Sequence, residues 1–362
     1  MSDEDLLKLR LFYDDIALVS PYAIIAPPDW AEAVIQAKYS LPAPKGTKLL
    51  QCSLPGRHKH NQGFIMMSPS GVKFLAGIDC GKKEFGGDFA GLKTRHDTAR
   101  KRQISVNRYI LLKEFLPTYL EKITRIENDL FPRLIELADN SIDKFDSLLD
   151  HIGSDGRLAY DTFEEDFQAT QRAKEAVAKE LEKIEADFKQ NRIKETIFKK
   201  RVQDINLRIR AVKPVMRQVT KYLKDRALGF EFLKEASSEQ TRFAEADIVL
   251  RKTMKQMRHA TSSDSFSNDE LEDLIKAAKA AFKEIDNCLP IFESANRFYS
   301  NQNLGLLSQW APMVSPSQSV TFTSRRVDIR IGEYLASIDR PGQFIVPPLP
   351  DPNQILDALP GV

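Results

Sequence analysis

The sequence predicts a mainly α fold: a long antiparallel coiled-coil or helical hairpin carrying a small N-terminal α+β, zinc-finger-like module. Three observations predict it. Apolar residues keep one heptad frame at Val177, Leu181, Ile184, Phe188, Phe198, Val202, Ile205, Ile209, Val212, Met216, Val219 and Leu223, the seam of a coiled coil roughly 70 Å long at 1.5 Å per residue. With 29% charged residues and only 16 glycines, the composition suits a folded chain rich in exposed helix. Between Gly63 and Ile78 the period changes to that of paired strands, with cysteines and histidines on either side.

The chain divides on these patterns into five stretches. Residues 1–44 form an N-terminal arm: an apolar piece from Leu11 to Ile25, then Pro27-Pro28-Asp29 opening a helix through Trp30, Val34, Ile35 and Tyr39, which Pro42 and Pro44 end. Residues 45–100 form a basic hairpin–helix module. Its strands are Gly63–Met67 and Val72–Ala76 around the turn Ser68-Pro69-Ser70-Gly71. If Met67 faces Val72, His60 faces Asp79 and Lys59 faces Cys80, so the hairpin folds the segment before it onto the segment after it.

Residues 101–228 carry the long helical hairpin. Leu112, Leu116, Tyr119, Ile123, Ile126 and Leu130 alternate at spacings of four and three, and Pro117 and Pro132 must bend the helix that bears them. A turn at 151–156 leads to a rod over 160–228. Asn191 and Glu195 sit consecutively on its seam, where polar residues set register, allow a hinge or face a gap, and Pro214 kinks its far end. The cheapest partner for the rod is the helix at 104–149, folded back through the turn; the other is the same helix of a second chain.

Residues 229–300 hold further helices, one running to about His259 and one opened by the capping box Ser267/Glu270, with Leu271, Leu274, Ile275, Phe282 and Ile285 as its buried face. Residues 301–362 hold one hairpin, from Val320–Phe322 and Val327–Ile331, and a Pro-rich tail from Pro341 to Pro360.

The chemistry-bearing residues concentrate in the second stretch. Cys52, His58 and His60 precede the hairpin and Cys80 enters the helix after it. This resembles the general layout of a treble-clef zinc module, in which one ligand pair lies on a loop before a hairpin and the other at the start of the following helix. Four ligands must converge within about 2.0–2.3 Å of the ion. Only Cys80 is a firm ligand after the hairpin, so the fourth comes from His58 and His60 together or from Glu84; a continuous helix carries His96 about 24 Å away. The other reading makes both cysteines small buried hydrophobes.

Charge is spread unevenly. The formal net is +2, yet 45–108 holds thirteen basic residues against four acidic ones, a net of +9, which leaves the rest at −7. Arg57, Lys59, Lys82, Lys83, Arg95, Arg100, Lys101 and Arg102 are the candidates for neutralising phosphates in a salt-dependent, largely sequence-independent way. The alternatives are a solvated helix face or salt bridges to acidic helices of the same chain.

No dinucleotide fingerprint, P-loop, His-Glu-x-x-His or Gly-x-Ser-x-Gly motif occurs. The N-terminus lacks the features of a secretory signal, no apolar run reaches the roughly 18 residues of a membrane span, and three cysteines make no disulfide framework. The expectation is a cytoplasmic, non-enzymatic interaction protein. Its basic head, stabilised by structural zinc, contacts nucleic acid or another polyanion and rides on a coiled-coil stalk that also offers a protein partner or self-association. The runner-up is a scaffold or assembly subunit without nucleic-acid contact; the third reading is an enzyme using the cysteines and histidines around a catalytic metal.

Overall fold

The structure, a computed structural model, describes residues 2–44, 47, 49–190, 192–260 and 262–357. Lys45 and Lys48 of the basic stretch, Asn191 of the heptad seam and the tail beyond 357 lie outside the described residues. Helix α1 (Asp3–Leu7), strand β1 (Phe12–Tyr13), helix α2 (Ile16–Val19) and strands β2 (Val34–Ser40), β3 (Leu50–Gln51), β4 (Lys59–His60), β5 (Gln62–Met67) and β6 (Lys73–Gly77) lead into α3 (Ile78–Phe85) and α4 (Asp88–Arg125). A π-helical turn at Ile126–Leu130 joins α4 to α5 (Phe131–Leu149). There follow β7 (Arg157–Glu165), α6 (Phe167–Lys189), α7 (Glu195–Ala211), β8 (Met216–Arg226), α8 (Glu231–His259), α9 (Asn268–Cys288), α10 (Pro290–Phe298), α11 (Asn301–Val314), β9 (Gln318–Phe322), β10 (Arg326–Ile331), β11 (Tyr334–Asp339) and α12 (Asn353–Leu356).

This overturns the expected fold class. The protein is mixed α/β, with 58% helix, 18% strand and several small sheets, and it has no long antiparallel coiled-coil hairpin among the described residues. It divides into two compact units, one of Met1–Phe131, Ser238–Pro290 and Val346–Val362, the other of Pro132–Ser237 and Ile291–Ile345.

In the first unit a four-stranded sheet runs β1-β2-β5-β6, parallel between β1 and β2 and antiparallel elsewhere. The hairpin forms where the sequence places it, one residue out of the expected register: Met67 faces Lys73 and Gly63 faces Gly77. The helix expected through Tyr39 is instead a short turn at Trp30–Glu32 followed by β2. Its alternation explains why, since Ala37, Tyr39 and Leu41 are buried and β-branched Val34 and Ile35 open the strand. Both faces of the sheet are covered. Phe64, Met66, Phe74, Ala76, Cys52, Cys80 and Phe89 pack on one side, and Tyr39, Ala37, Ile65, Leu75, Leu50 and Val19 on the other.

From Asp88 to Leu149 the chain is one continuous helix of 62 residues. Leu112, Leu116, Tyr119, Ile123 and Ile126 are buried as their spacing requires, but their cover is α9: Phe282 packs edge-on to Tyr119 at 4.7 Å between ring centroids. Pro117 lies inside α4. Immediately before Pro132, which can donate no backbone hydrogen bond, the helix widens into the π turn. The capping box at Ser267 and Glu270 opens α9 as expected.

In the second unit the rod expected over 160–228 is broken. It begins and ends as strands: β7 and β8 pair antiparallel from Arg157↔Arg226 to Glu165↔Met216. The helices between them turn back along each other, with Phe188 stacked on Phe198 at 4.3 Å and Arg208 paired with Glu180 at 2.7 Å. The break falls between Lys189 and Glu195, the second of the two polar seam positions, and Lys194 precedes α7 in an extended conformation. The part of the seam from Val177 to Val212 is thus covered by its own second half, while Met216, Val219 and Leu223 fall in β8. At the far end Pro214 cannot continue α7, and the Val215 carbonyl enters the sheet side of the hairpin by accepting from the Asp166 amide at 2.8 Å. The tail forms a three-stranded sheet in the order β11-β10-β9, one strand more than expected. Among the described residues no helix is long and apolar enough to cross a membrane.

Candidate functional site

A cavity of about 770 Å³ opens at the edge of the first unit's sheet, lined among others by His58, Lys59, His60, Asp79, Cys80 and Lys83. The hairpin therefore does gather the segments on either side of it. The β3–β4 connection turns through two left-handed residues, Gly56 at φ +89° and Arg57 at φ +47°. For a non-glycine residue this costs about 1 kcal/mol. The turn returns the chain so that the Cys52 amide donates to the His58 carbonyl at 2.9 Å.

At the cavity wall the two cysteines meet, Cys80 in the lining and Cys52 behind it. The Gly77 amide donates to the Cys52 sulfur at 3.4 Å, and the Cys52 thiol faces the Leu75 carbonyl at 3.7 Å. The Cys80 thiol lies against that of Cys52; burial, then the neighbouring sulfur, pushes its pKa up to about 11, while the His58 backbone pulls the other way. Cys80 is therefore a thiol at neutral pH. Both cysteines are free and buried.

His60 is fixed from the opposite side. Its Nδ1 lies 2.8 Å from the Tyr39 hydroxyl, and Tyr39 is wholly buried. Burial first, then the adjacent Cys52 and Cys80, holds the Tyr39 phenol far above its ordinary range. Two glycines make the contact possible. A Cβ on Gly63 would stand 2.6 Å from the Tyr39 hydroxyl oxygen, and one on Gly77 would stand 2.6 Å from the His60 ring. Tyr39 is missed from sequence because the Pro27-Pro28-Asp29 start favours a helix there; the alternation of Ile35, Ala37, Tyr39 and Leu41 with Gln36, Lys38 and Ser40 was the available signal.

Of the zinc candidates, the structure joins Cys52 to Cys80 and places His58 and His60 on the cavity lining. The His58 ring is exposed and leans toward Gly56, its Nε2 3.3 Å from where a Cβ would stand there. Among the described residues no group of three or more His, Cys, Asp or Glu side chains is gathered as a metal would require. The residues as placed supply two sulfurs of a four-ligand set.

The cations sort into three groups. Arg57, Lys59, Lys82 and Lys83 are exposed near this corner, and among the described residues no carboxylate lies within ion-pairing distance of them. Arg95 and Lys101 are exposed on α4, Arg95 beside a separate apolar groove with Leu92 and His96. Arg100 and Arg102 are engaged within the fold. The Arg100 guanidinium lies 4.1 Å over the Phe12 ring. Arg102 binds both Asp3 oxygens, at 2.8 and 2.6 Å, and the carbonyls of Phe266 and Ser263. His96 is buried, its Nε2 3.2 Å from the Leu11 carbonyl. No protein-family profile matches this chain, and neither the curated proteins nor the solved structures contain a significant match to it.

Proposed function

We propose that the sheet-and-helix head of the first unit binds nucleic acid through its phosphates, as a non-enzymatic interaction module. One observation carries this reading: Lys59 and Lys83 line a cavity in which Asp79 is the one carboxylate among the described residues, and they and their exposed chain neighbours Arg57 and Lys82 have no ion-pair partner among the described residues. Cations left without internal partners are available to displace counterions from a polyanion, whereas Arg100 and Arg102, equally basic in sequence, are not.

Four phosphate contacts would give a slope of log affinity against log salt of about −3.5 on duplex DNA, at about −0.9 per contact. Fluorescence anisotropy with a labelled duplex at graded salt measures it. Reversing Lys59 and Lys83 to Glu should flatten the slope by about 2. An unchanged slope in that variant ends the reading and favours the scaffold alternative, in which the basic surface meets acidic protein.

Zinc is a second reading of the same corner, favoured by the contact between the Cys52 and Cys80 thiols. Two further donors, from His58, His60 or Glu84, would have to close on them. Elemental analysis tests it directly: stoichiometric zinc that disappears in Cys80→Ser supports the ion, and a folded, metal-free protein removes it.

A further inference from the structure

We infer that the outward side of α7 is a second nucleic-acid-binding face, separate in its residues from the head and resting on the same class of partner. The sequence from 192 to 226 holds twelve basic residues against three acidic ones, a net of +9, while 157–189, the other half of the same hairpin, has six against nine, a net of −3. The two halves of one folded hairpin are thus oppositely biased. A heptad frame over 160–228 does not reveal this, because it concerns the apolar positions alone.

Pairing within the hairpin leaves much of the excess unspent. Arg192, Lys199, Arg208, Lys221 and Arg226 have carboxylate partners. Lys194, Lys200, Arg201, Arg210 and Lys213 are exposed, and among the described residues none has a carboxylate within ion-pairing distance. Lys200 and Arg210 lie on α7 itself, about 25 Å long at 1.5 Å per residue, Lys194 and Lys213 flank its two ends, and Arg201 falls nearer the Ile205 side.

The geometry of α7 arranges polar donors among them. Ile205, buried, points inward, and at 100° per residue the opposite side carries Lys199, Lys200, Gln203, Asn206, Leu207 and Arg210. A shallow groove of about 410 Å³ runs along α7, lined by Lys199, Gln203, Asn206 and Arg210 together with Phe198, Val202 and Leu207, so that it reaches from the Ile205 side to the outward one. The two acids of α7 stand at its flanks: Glu195 is held by Lys199 at 2.7 Å, and Asp204 lies close enough to Arg208 to help raise the pKa of that guanidinium. A helix face of Lys, Arg, Gln and Asn with its carboxylates set aside matches nucleic acid: the cations meet phosphates and the amides can bond base edges in a groove wide enough for a helix. An apolar protein partner would call for a contiguous hydrophobic and aromatic patch, whereas here Phe198 is stacked on Phe188 and the exposed Ile197 and Leu207 stand ten residues apart on the helix.

The test uses the full chain and the same labelled duplex, with Lys200→Glu/Arg210→Glu on α7 and Lys59→Glu/Lys83→Glu on the head. Arg208, which ties α7 to α6, is left intact, and circular dichroism at unchanged helix content verifies folding. The α7 variant should lose at least tenfold in affinity at low salt and flatten the salt slope by about 2. If it binds with the parent's affinity and slope while the head variant loses both, the α7 face is refuted and the head stands; the converse result refutes the head and upholds α7. Vesicles containing anionic lipid form the last arm: a chain that binds them through Lys200 and Arg210 yet ignores the duplex also overturns the inference.

Discussion

Arg102 offers the most direct test of how the basic stretch divides between internal and external work. Its side chain is 14% exposed and that of Asp3 9%. It donates from Nε and Nη2 to the two Asp3 oxygens, from Nη1 to the Phe266 carbonyl at 2.7 Å, and from Nη2 to the Ser263 carbonyl at 2.9 Å. One guanidinium thereby ties α4 to α1 and to the loop before α9. Arg102→Ala strands a buried carboxylate and two carbonyls, and breaking such a pair from one side costs about 3–5 kcal/mol. With a urea m-value of about 2 kcal/mol/M, the unfolding midpoint of the first unit should fall by about 2 M. Lys101→Ala, one residue away and exposed, should change stability by less than about 0.5 kcal/mol.

The pair also has a pH signature. Burial raises the Asp3 pKa, but the Arg102 and Ser263 hydrogen bonds and the Arg102 charge outweigh it and hold the carboxyl below 3.8. A depressed carboxylate contributes stability that is complete above its unfolded value and is lost as pH falls through the folded one. Acid sensitivity below about pH 4 should therefore shrink in Arg102→Ala. Because the pair faces inward, the salt slope of the proposed nucleic-acid binding should not move in the folded variant. A midpoint shift no larger than that of Lys101→Ala, or a flattened salt slope, would refute the assignment.

Three further outcomes follow from particular contacts. Burial depresses the His96 pKa below 6.5, against the opposing pull of Asp97. Its stabilising neutral form is secure above pH 6.5, and stability declines as pH drops below that value until the folded pKa is passed; His96→Gln should flatten this dependence in urea melts taken on either side of it. Gly63→Ala sets a Cβ against the Ala76 carbonyl oxygen and 2.6 Å from the Tyr39 hydroxyl, so it should destabilise the sheet by about 2–3 kcal/mol, a smaller loss indicating that β5 and β6 can part. Gly305 sits in α11 with open space where an added Cβ would stand, so Gly305→Ala should raise the stability of the second unit by about 0.5–1 kcal/mol, whereas Gly229→Ala, whose Cβ would collide with the Ser294 carbonyl oxygen, should prevent that unit from folding; thermal melts of the two variants check both.

The sequence by itself determined those features that depend on near neighbours. The β5–β6 hairpin, the buried stripe from Leu112 to Ile126, the Ser267–Glu270 box and the convergence of His58, His60 and Cys80 on one corner are set by turn residues, helical period and the two-fold alternation of strands. A one-residue error in hairpin register did not undo that convergence.

Tertiary structure decided which element covers which. A heptad states that a stripe needs cover without naming its partner. The Leu112–Ile126 stripe took α9, and the 177–212 seam closed on itself once the chain broke between Lys189 and Glu195. The same holds for charge. Composition marked Arg102 and Lys59 alike as cations, but only the fold sets Asp3 and two carbonyls around one guanidinium and leaves the other cation facing solvent, because an ion pair between residues 99 positions apart depends on contacts that no local pattern encodes.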